Sequence, residues 1–342
     1  FLEIEPAQRI MQSIITDIQR KGFTWKDKEY QVTCSIGVMA FGLVSDSYAN
    51  FYSRINTACF LAKQNGGNQF RFIDEFDEKV IAQRESMDWV AGIMKGFSDD
   101  LFRLYVQPIV SMDEDDFSTH YEVLIRYQNQ DGSIVPPNEF LPTAERYNLI
   151  EKIDCWVVNN LLQWIEDNSL AARGVMFSIN LSGRSIGSKS FHKFLHERLV
   201  ESEVDMKSLC FEITETSLVN NIDKSVDFIK SIKQLGAKFS LDDFGTGMSS
   251  FSYLKQFPVD YLKIDGEFIR DIQDDEKSFV FVRSMSEVGH CLDMKVIAEF
   301  VESDTMFERL REANIDYIQG YIVGRPVEIE SLVIIKKQDK LC

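Results

Sequence analysis

From Leu101 onward, short apolar runs recur with room for a helix between most of them. The runs are Phe102–Val110, Tyr121–Tyr127, Val175–Leu181, Leu209–Glu215, Lys238–Phe244, Tyr261–Asp265, Lys295–Val301 and Tyr317–Tyr321. Residues 155–167, 191–202, 224–235, 277–292 and 305–313 carry apolar positions at helical spacing. Eight strands alternating with helices predict a β/α barrel. An open doubly wound sheet is the alternative, but no run is followed by a dinucleotide fingerprint. The first run is followed by an acidic loop, Asp113 to Phe117, rather than a helix, so it departs from regular parallel order.

The N-terminal quarter reads differently. Residues 7–20 have helical spacing with Ile10, Ile14, Ile15 and Ile18 on one side; residues 30–41 read as a strand, 51–64 as a helix and 69–72 as a strand. Asn65-Gly66-Gly67 follows that helix, which makes it a helix C-cap rather than a phosphate loop. Residues 75–97 read as one long helix with Val80, Ile81, Met87, Val90 and Met94 near one side, a linker between two domains.

Side-chain parity along each strand sorts chemistry from packing. Phe177, Ile179 and Leu181 oppose Ser178 and Asn180; Phe211 and Ile213 oppose Glu212 and Thr214; Phe239 and Leu241 oppose Ser240 and Asp242. Leu262 and Ile264 oppose Lys263 and Asp265, Val296 and Ala298 oppose Ile297 and Glu299, and Val123 and Ile125 oppose Glu122 and Arg126. The apolar faces belong under the helices, so the polar faces converge in the barrel mouth. Asp243 has the parity of the apolar face, so we expect the strand to end there and turn it out. Taken alone, Asp242-Asp243-Phe244-Gly245 is an acidic turn and Lys263-Ile264-Asp265 a salt bridge. Repetition over five strands points to a site instead. Gathered carboxylates repel unless cations neutralise them, and Glu122, Asn180, Glu212, Asp242, Asp243 and Glu299 are oxygen donors suited to Mg²⁺ or Mn²⁺. Two ions would polarise a phosphodiester and activate water for in-line attack, with Lys263 holding a phosphate oxygen or that water.

Composition narrows the partners. A formal charge of −17 disfavours a nucleic-acid polymer or an anionic membrane surface. Bound cations would still admit a phosphate substrate. The six cysteines are scattered without a C-x-x-C pair, so we expect reduced, mostly buried thiols in a cytoplasmic protein. His192 and His196 sit four apart but lack the adjoining glutamate of a zinc helix, and read as helix surface. No apolar run approaches the ~18 residues of a membrane span, and no signal peptide opens the sequence. The abrupt start at Phe1 suggests a fragment of a longer protein, with room for a membrane anchor on that parent.

Gln107-Pro108, Glu122-Val123-Leu124-Ile125-Arg126, Asn180-Leu181-Ser182, Glu212-Ile213-Thr214-Glu215, Leu241 to Ser250, Lys263-Ile264-Asp265, Ala298-Glu299-Phe300-Val301-Glu302 and Gln319-Gly320-Tyr321 resemble the EAL-domain cyclic di-GMP phosphodiesterases. The resemblance implies a modified (β/α)8 barrel over residues 98–335 whose first strand is antiparallel. It also implies hydrolysis of cyclic di-GMP to linear pGpG with two Mg²⁺ or Mn²⁺ ions, and a homodimer through the barrel. It places Glu122, Asn180, Glu212 and Asp242 on one metal, and Asp242 with Asp243 on the second. Glu299 takes the place of the general base, Lys263 lies near the attacking water, and Glu215 holds the loop after Asp243. Gln107, Arg126 and Glu122 contact substrate, with Gln319 in support. A catalytically silent cyclic di-GMP receptor is the rival expectation. Three positions depart from the family pattern: Val123 for alanine and Phe300 for glycine, both outward by parity, and Met248 for a tyrosine in the loop. Residues 1–75 resemble the C-terminal part of a GGDEF domain through Ser35-Ile36-Gly37-Val38 and Ala62 to Gly66; the signature loop is absent, so no cyclase activity is expected. Residues 76–97 would be the linker helix.

Overall fold

The computed structural model describes residues 4–25, 28–39, 55–56, 58–63, 66–73, 78–113, 115–116, 119–168, 174–219, 222–245 and 254–332. The chain divides into two compact units, residues 1–94 and 95–342.

In the first unit α1 (Ile4–Lys21) leads into the antiparallel hairpin β1 (Phe23–Trp25) and β2 (Lys28–Tyr30), and β3 (Ile36–Met39) pairs in parallel with β4 (Phe70–Ile73). The expected single strand over residues 30–41 is therefore two pieces, because Tyr30 is committed to the hairpin; Phe41 lies outside the described residues. Among the described side chains of α1 only Ile15 is fully buried, and Ile10 and Ile14 face solvent. Gly67 adopts a left-handed backbone and donates its N–H to Ala62 O, as a C-cap does. The long helix, α2 (Glu78–Ser98), buries Ser86, Ile93 and Gly96 while Met87 and Met94 are exposed. Its covered side is thus rotated from the expected one, and the side chains of Val80 and Ile81 lie outside the described residues.

The second unit is a closed barrel. Its strands are β5 (Phe102–Ser111), β6 (Thr119–Gln128), β8 (Val175–Leu181), β9 (Leu209–Thr214), β10 (Lys238–Phe244), β11 (Tyr261–Ile264), β12 (Lys295–Ala298) and β13 (Tyr317–Gln319). They pair in the order β5-β13-β12-β11-β10-β9-β8-β6, and a β5–β6 ladder closes the ring. Strand β5 is antiparallel to both neighbours, and every other pairing around the ring is parallel. The loop after β5 is too short for a helical crossover, so β6 folds straight back as a hairpin. Two-residue strands β7 (Ile134–Val135) and β14 (Val327–Glu328) add to β6 and β5.

The outward strand positions form the layer beneath the helices. Val123, Phe177, Ile179, Phe211, Ile213, Phe239, Leu241, Leu262 and Ile264 are all buried, each contributing roughly 1.5–3 kcal/mol. The five helices expected between strands appear as α4 (Ile150–Asp167), α6 (Lys189–Glu201), α8 (Ile222–Lys233), α10 (Glu276–Cys291) and α11 (Asp304–Glu312), the last four ending one or two residues before the expected bounds. Among the helices the sequence did not announce is α3 (Pro137–Arg146), which carries Pro142 inside it. Pro137 occupies its first turn, where a missing N–H costs nothing. Among the described cysteines, Cys210 is buried, Cys34, Cys59 and Cys155 are half-buried and Cys291 is exposed, so "mostly buried" overstated their cover.

Candidate functional site

The carboxyl ends of the parallel strands deliver their inward residues to one place. At its centre is Lys263 on β11, fully buried. Its Nζ lies 2.7 Å from Glu212 Oε2, 2.8 Å from Glu299 Oε1, 3.2 Å from Asp242 Oδ1 and 3.6 Å from Glu122 Oε2. Burial alone would lower the lysine pKa, but Asp242, Glu122, Glu212 and Glu299 together raise it well above its ordinary value. The ammonium is therefore the permanent counter-ion of this layer.

One ammonium does not neutralise the layer. Burial pushes Glu212 and Glu299 each up to about 8, against the pull of Lys263. Glu122 is also buried, yet Lys263 and the hydrogen bonds from Gln319 and Asn180 hold it below the usual carboxylate range. Asn180 Nδ2 donates to Glu122 Oε1 at 2.6 Å and Gln319 Nε2 to Glu122 Oε2 at 2.5 Å. Gln319 Nε2 also reaches Gln107 Oε1 at 3.4 Å, and Gln107 Nε2 donates to Gly324 O. Arg126 stands apart, its guanidinium 5.5 Å from the centre of the Tyr105 ring.

Asp243 is brought in by an irregularity that parity does not predict. Leu241 pairs with Leu262 but Phe244 pairs with Ile264, so β10 carries one extra residue. This is a β-bulge, with Asp243 in the left-handed region at φ 54°, which aspartate tolerates better than most residues. The strand does not end at Asp243 as expected. It bulges there, so consecutive carboxylates reach the same mouth, and Phe244 returns to the core. Burial, then the Asp242 and Asp265 charges, push Asp243 up to about 6. Asp242, Asp243 and Glu299 each offer an oxygen within 4.8 Å of the others.

These residues fit a hard divalent cation. Glu212 Oε1 is buried without a hydrogen-bond partner, and Asp242 Oδ1 receives no directed hydrogen bond despite its distance to Lys263. Oxygen atoms left so in a carboxylate-rich layer are what a cation would occupy. The set joining Asp242 to Asp243 and Glu299 contains no histidine or cysteine among the described residues. Glu215, expected as the last residue of a strand, is buried and instead opens α7 (Glu215–Val219), and its Oε2 accepts the Gly245 N–H at 3.1 Å just past the bulge. Thr246 to Ser250, including Met248, lie outside the described residues.

Parity did not foresee the placing of two residues. Asp154, buried on α4, accepts at Oδ2 from the Ser182 N–H and from the Ser182 and Ser185 hydroxyls, pinning the turn after Asn180. An acid among the apolar positions Ile153, Val157 and Val158 was the available signal. Phe300 does not follow strand parity, because β12 ends at Ala298 and Phe300 is left-handed at φ 55°. Its half-exposed ring lies so close on Gly266 that a Cβ there would sit 2.3 Å from Phe300 Cδ2. His192 hydrogen-bonds Ile186 O and stacks on Phe228, a packing role.

Known proteins are similar to this chain. A cyclic di-GMP phosphodiesterase of Shewanella oneidensis, PdeB, is 33% identical over 326 residues, covering 94% of this chain and 38% of that protein. Borreliella burgdorferi PdeA, also named a cyclic di-GMP phosphodiesterase, is 34% identical over 257 residues, or 75% of this chain and 38% of its own length. The chain thus spans under two fifths of these curated relatives. The EAL domain of FimX from Pseudomonas aeruginosa, solved bound to c-di-GMP, superposes with a TM-score of 0.64 at 29% identity, covering 70% of this chain and 96% of that one. The EAL domain model matches residues 91–326, the stretch that contains every strand of the ring and every residue of the acidic layer: the chain belongs to the EAL domain family.

Proposed function

We propose that this chain hydrolyses cyclic di-GMP to linear pGpG. The carrying observation is the complete acidic layer around Lys263, with the bulge that adds Asp243 to Asp242 and Glu299. The relatives named as phosphodiesterases and the neighbour bound to c-di-GMP support the same substrate.

In this reading Glu122, Asn180, Glu212 and Asp242 hold one Mg²⁺ or Mn²⁺, and Asp242 with Asp243 a second. Bound there, the ions supply Lewis acidity and a water of lowered pKa. The chain's own residues do the rest. Glu299 takes the water proton, and its raised affinity for protons suits that task. Lys263 steers the water or a phosphate oxygen while keeping Glu212 and Glu299 in register. Glu215 fixes the Gly245 backbone and with it the Asp243 turn. Gln107, Arg126 and Glu122 contact substrate, and Gln319 orients Glu122.

A silent receptor would need none of the paired Asp242 and Asp243. Incubation with cyclic di-GMP and Mn²⁺ separates the readings: pGpG supports the enzyme, and binding without product supports the receptor. We further propose a cytoplasmic setting and a homodimer through the barrel; Val280 and Phe281 on α10 are exposed apolar candidates for that contact. No helix among the described residues is long and apolar enough to cross a membrane. Residues 1–75 we take as a partial GGDEF-like domain, 76–97 as its linker helix, and 98–335 as the phosphodiesterase barrel.

A further inference from the structure

Two aromatic rings at the carboxyl ends of the strands each lie against a glycine, and one short helix takes part in both contacts. That helix, α9 (Gly266–Ile269), follows β11, with Asp265 Oδ1 capping it by accepting the Glu267 N–H at 2.7 Å. The Phe300 ring fills the space of a side chain on Gly266, its first residue: a Cβ there would also sit 2.6 Å from Phe300 Cγ. At the other contact the ring belongs to α9 itself. A Cβ on Gly245 would sit 2.5 Å from Phe268 Cε2.

Both contacts border the carboxylate trio. Phe300 follows Glu299 directly, and Gly245 is two residues past Asp243. Asp242 and Asp243 ride on β10 and Glu299 on the exit of β12, with β11 between those strands. No ladder bond therefore joins β10 to β12 directly. The helix that leaves β11 is the element that touches the end of each.

The backbone at Phe300 shows that its ring matters. A bulky residue at φ 55° is an outlier that persists only where its surroundings hold it. Here the Glu299 N–H donates to Ile264 O on β11 at 3.3 Å and the Val301 N–H to Gln319 O on β13 at 3.0 Å. The Arg270 guanidinium lies 5.6 Å from the centre of the ring. Glycine would take this conformation freely, so what phenylalanine adds is the contact with Gly266.

We propose that Phe300 and Phe268 are positioning residues, a clamp on α9 that sets Glu299 against Asp242 and Asp243. Phe300 holds the exit of β12 on the helix, and Phe268 holds the turn after the β10 bulge on the same helix. The three carboxylates are thereby kept within 4.8 Å of one another, and a cation meets them without reorganisation. The purpose of the clamp rests on reading the acidic layer as a cation site; its mechanical coupling does not.

Two variants reach the Phe300 contact from opposite sides. Phe300→Gly suits the left-handed backbone and removes only the ring. Gly266→Ala, at a residue with no left-handed backbone to strain, pushes the ring away. In the metal-free chain, amide hydrogen exchange at Gly245 should become at least about ten-fold faster in each variant, with native circular dichroism. Calorimetric titration should show Mn²⁺ affinity about 10- to 100-fold weaker. Phe300→Tyr keeps the ring and should match the unaltered chain in both. Unchanged exchange at Gly245 in either folded variant would overturn the proposal, because Phe300 would then only pack locally. So would Mn²⁺ affinity within about two-fold of the unaltered chain. An unaltered chain that binds no Mn²⁺ contradicts the cation reading instead, and Gly245 exchange still decides whether the clamp exists.

Discussion

Replacing Lys263 with methionine probes the acidic layer most sharply. Methionine keeps much of the stem volume and removes the ammonium that now lies within 3.2 Å of Glu212, Glu299 and Asp242, and 3.6 Å of Glu122. Stripping one partner from a buried ion cluster costs about 3–5 kcal/mol, because the remaining charges stay desolvated and unpaired. Proton uptake by Glu212 and Glu299, both already at about 8, limits the loss to that range. For a unit of this size the loss corresponds to about 6–20 °C in Tm. A divalent cation bound among the same carboxylates replaces the missing charge, so millimolar Mn²⁺ should restore most of the loss. Urea unfolding of Lys263→Met with Mn²⁺ and with chelator reads both effects. A loss below about 1 kcal/mol, or one that Mn²⁺ leaves unchanged, would refute the reasoning.

Four further outcomes follow from the same geometry. Asp243→Asn should lower kcat at least about 100-fold while sparing much of the cyclic di-GMP binding, read by product formation and calorimetry; full activity would contradict the role of the bulge. Glu215→Ala strands the Gly245 N–H, a charge-assisted bond of about 1.5–3 kcal/mol, so Mn²⁺ affinity should fall about 10- to 100-fold in a titration. Glu212 and Glu299 bind protons up to about pH 8, so cation binding must displace protons; Mn²⁺ affinity should rise with pH to about 8 and then flatten. Asp154 is pushed up to about 6 by burial, despite the hydrogen bonds of Ser182 and Ser185. Its contribution to stability is therefore full below the unfolded value near 4 and is lost as pH rises to about 6; in Asp154→Asn denaturation profiles that slope should disappear.

Much of this was legible because a barrel strand alternates strictly. The pairs Phe177/Ser178, Phe211/Glu212 and Leu262/Lys263 each announce a helix-covered face and a mouth-facing one, and β8 and β10 keep the residue bounds their patterns predict. What stayed hidden are departures from period two. The β10 bulge moves Asp243 without any cue beyond Gly245, and Phe300 leaves parity because β12 stops three residues earlier than its apolar run suggests. Prolines concealed α3, since Pro137 and Pro142 break most helices but Pro137 starts this one. Asp154 was hidden for the opposite reason: it sits on a regular helix, and only its serine partners from another segment distinguish it from a surface acid.

The central claim is that the acidic layer around Lys263 performs chemistry rather than only recognition. Incubation of the chain with cyclic di-GMP and Mn²⁺, with chromatographic identification of the product, tests it most directly. The account predicts linear pGpG, formed only with the divalent cation and lost on chelation. Saturable binding of cyclic di-GMP with no pGpG at any Mn²⁺ or Mg²⁺ concentration would contradict it.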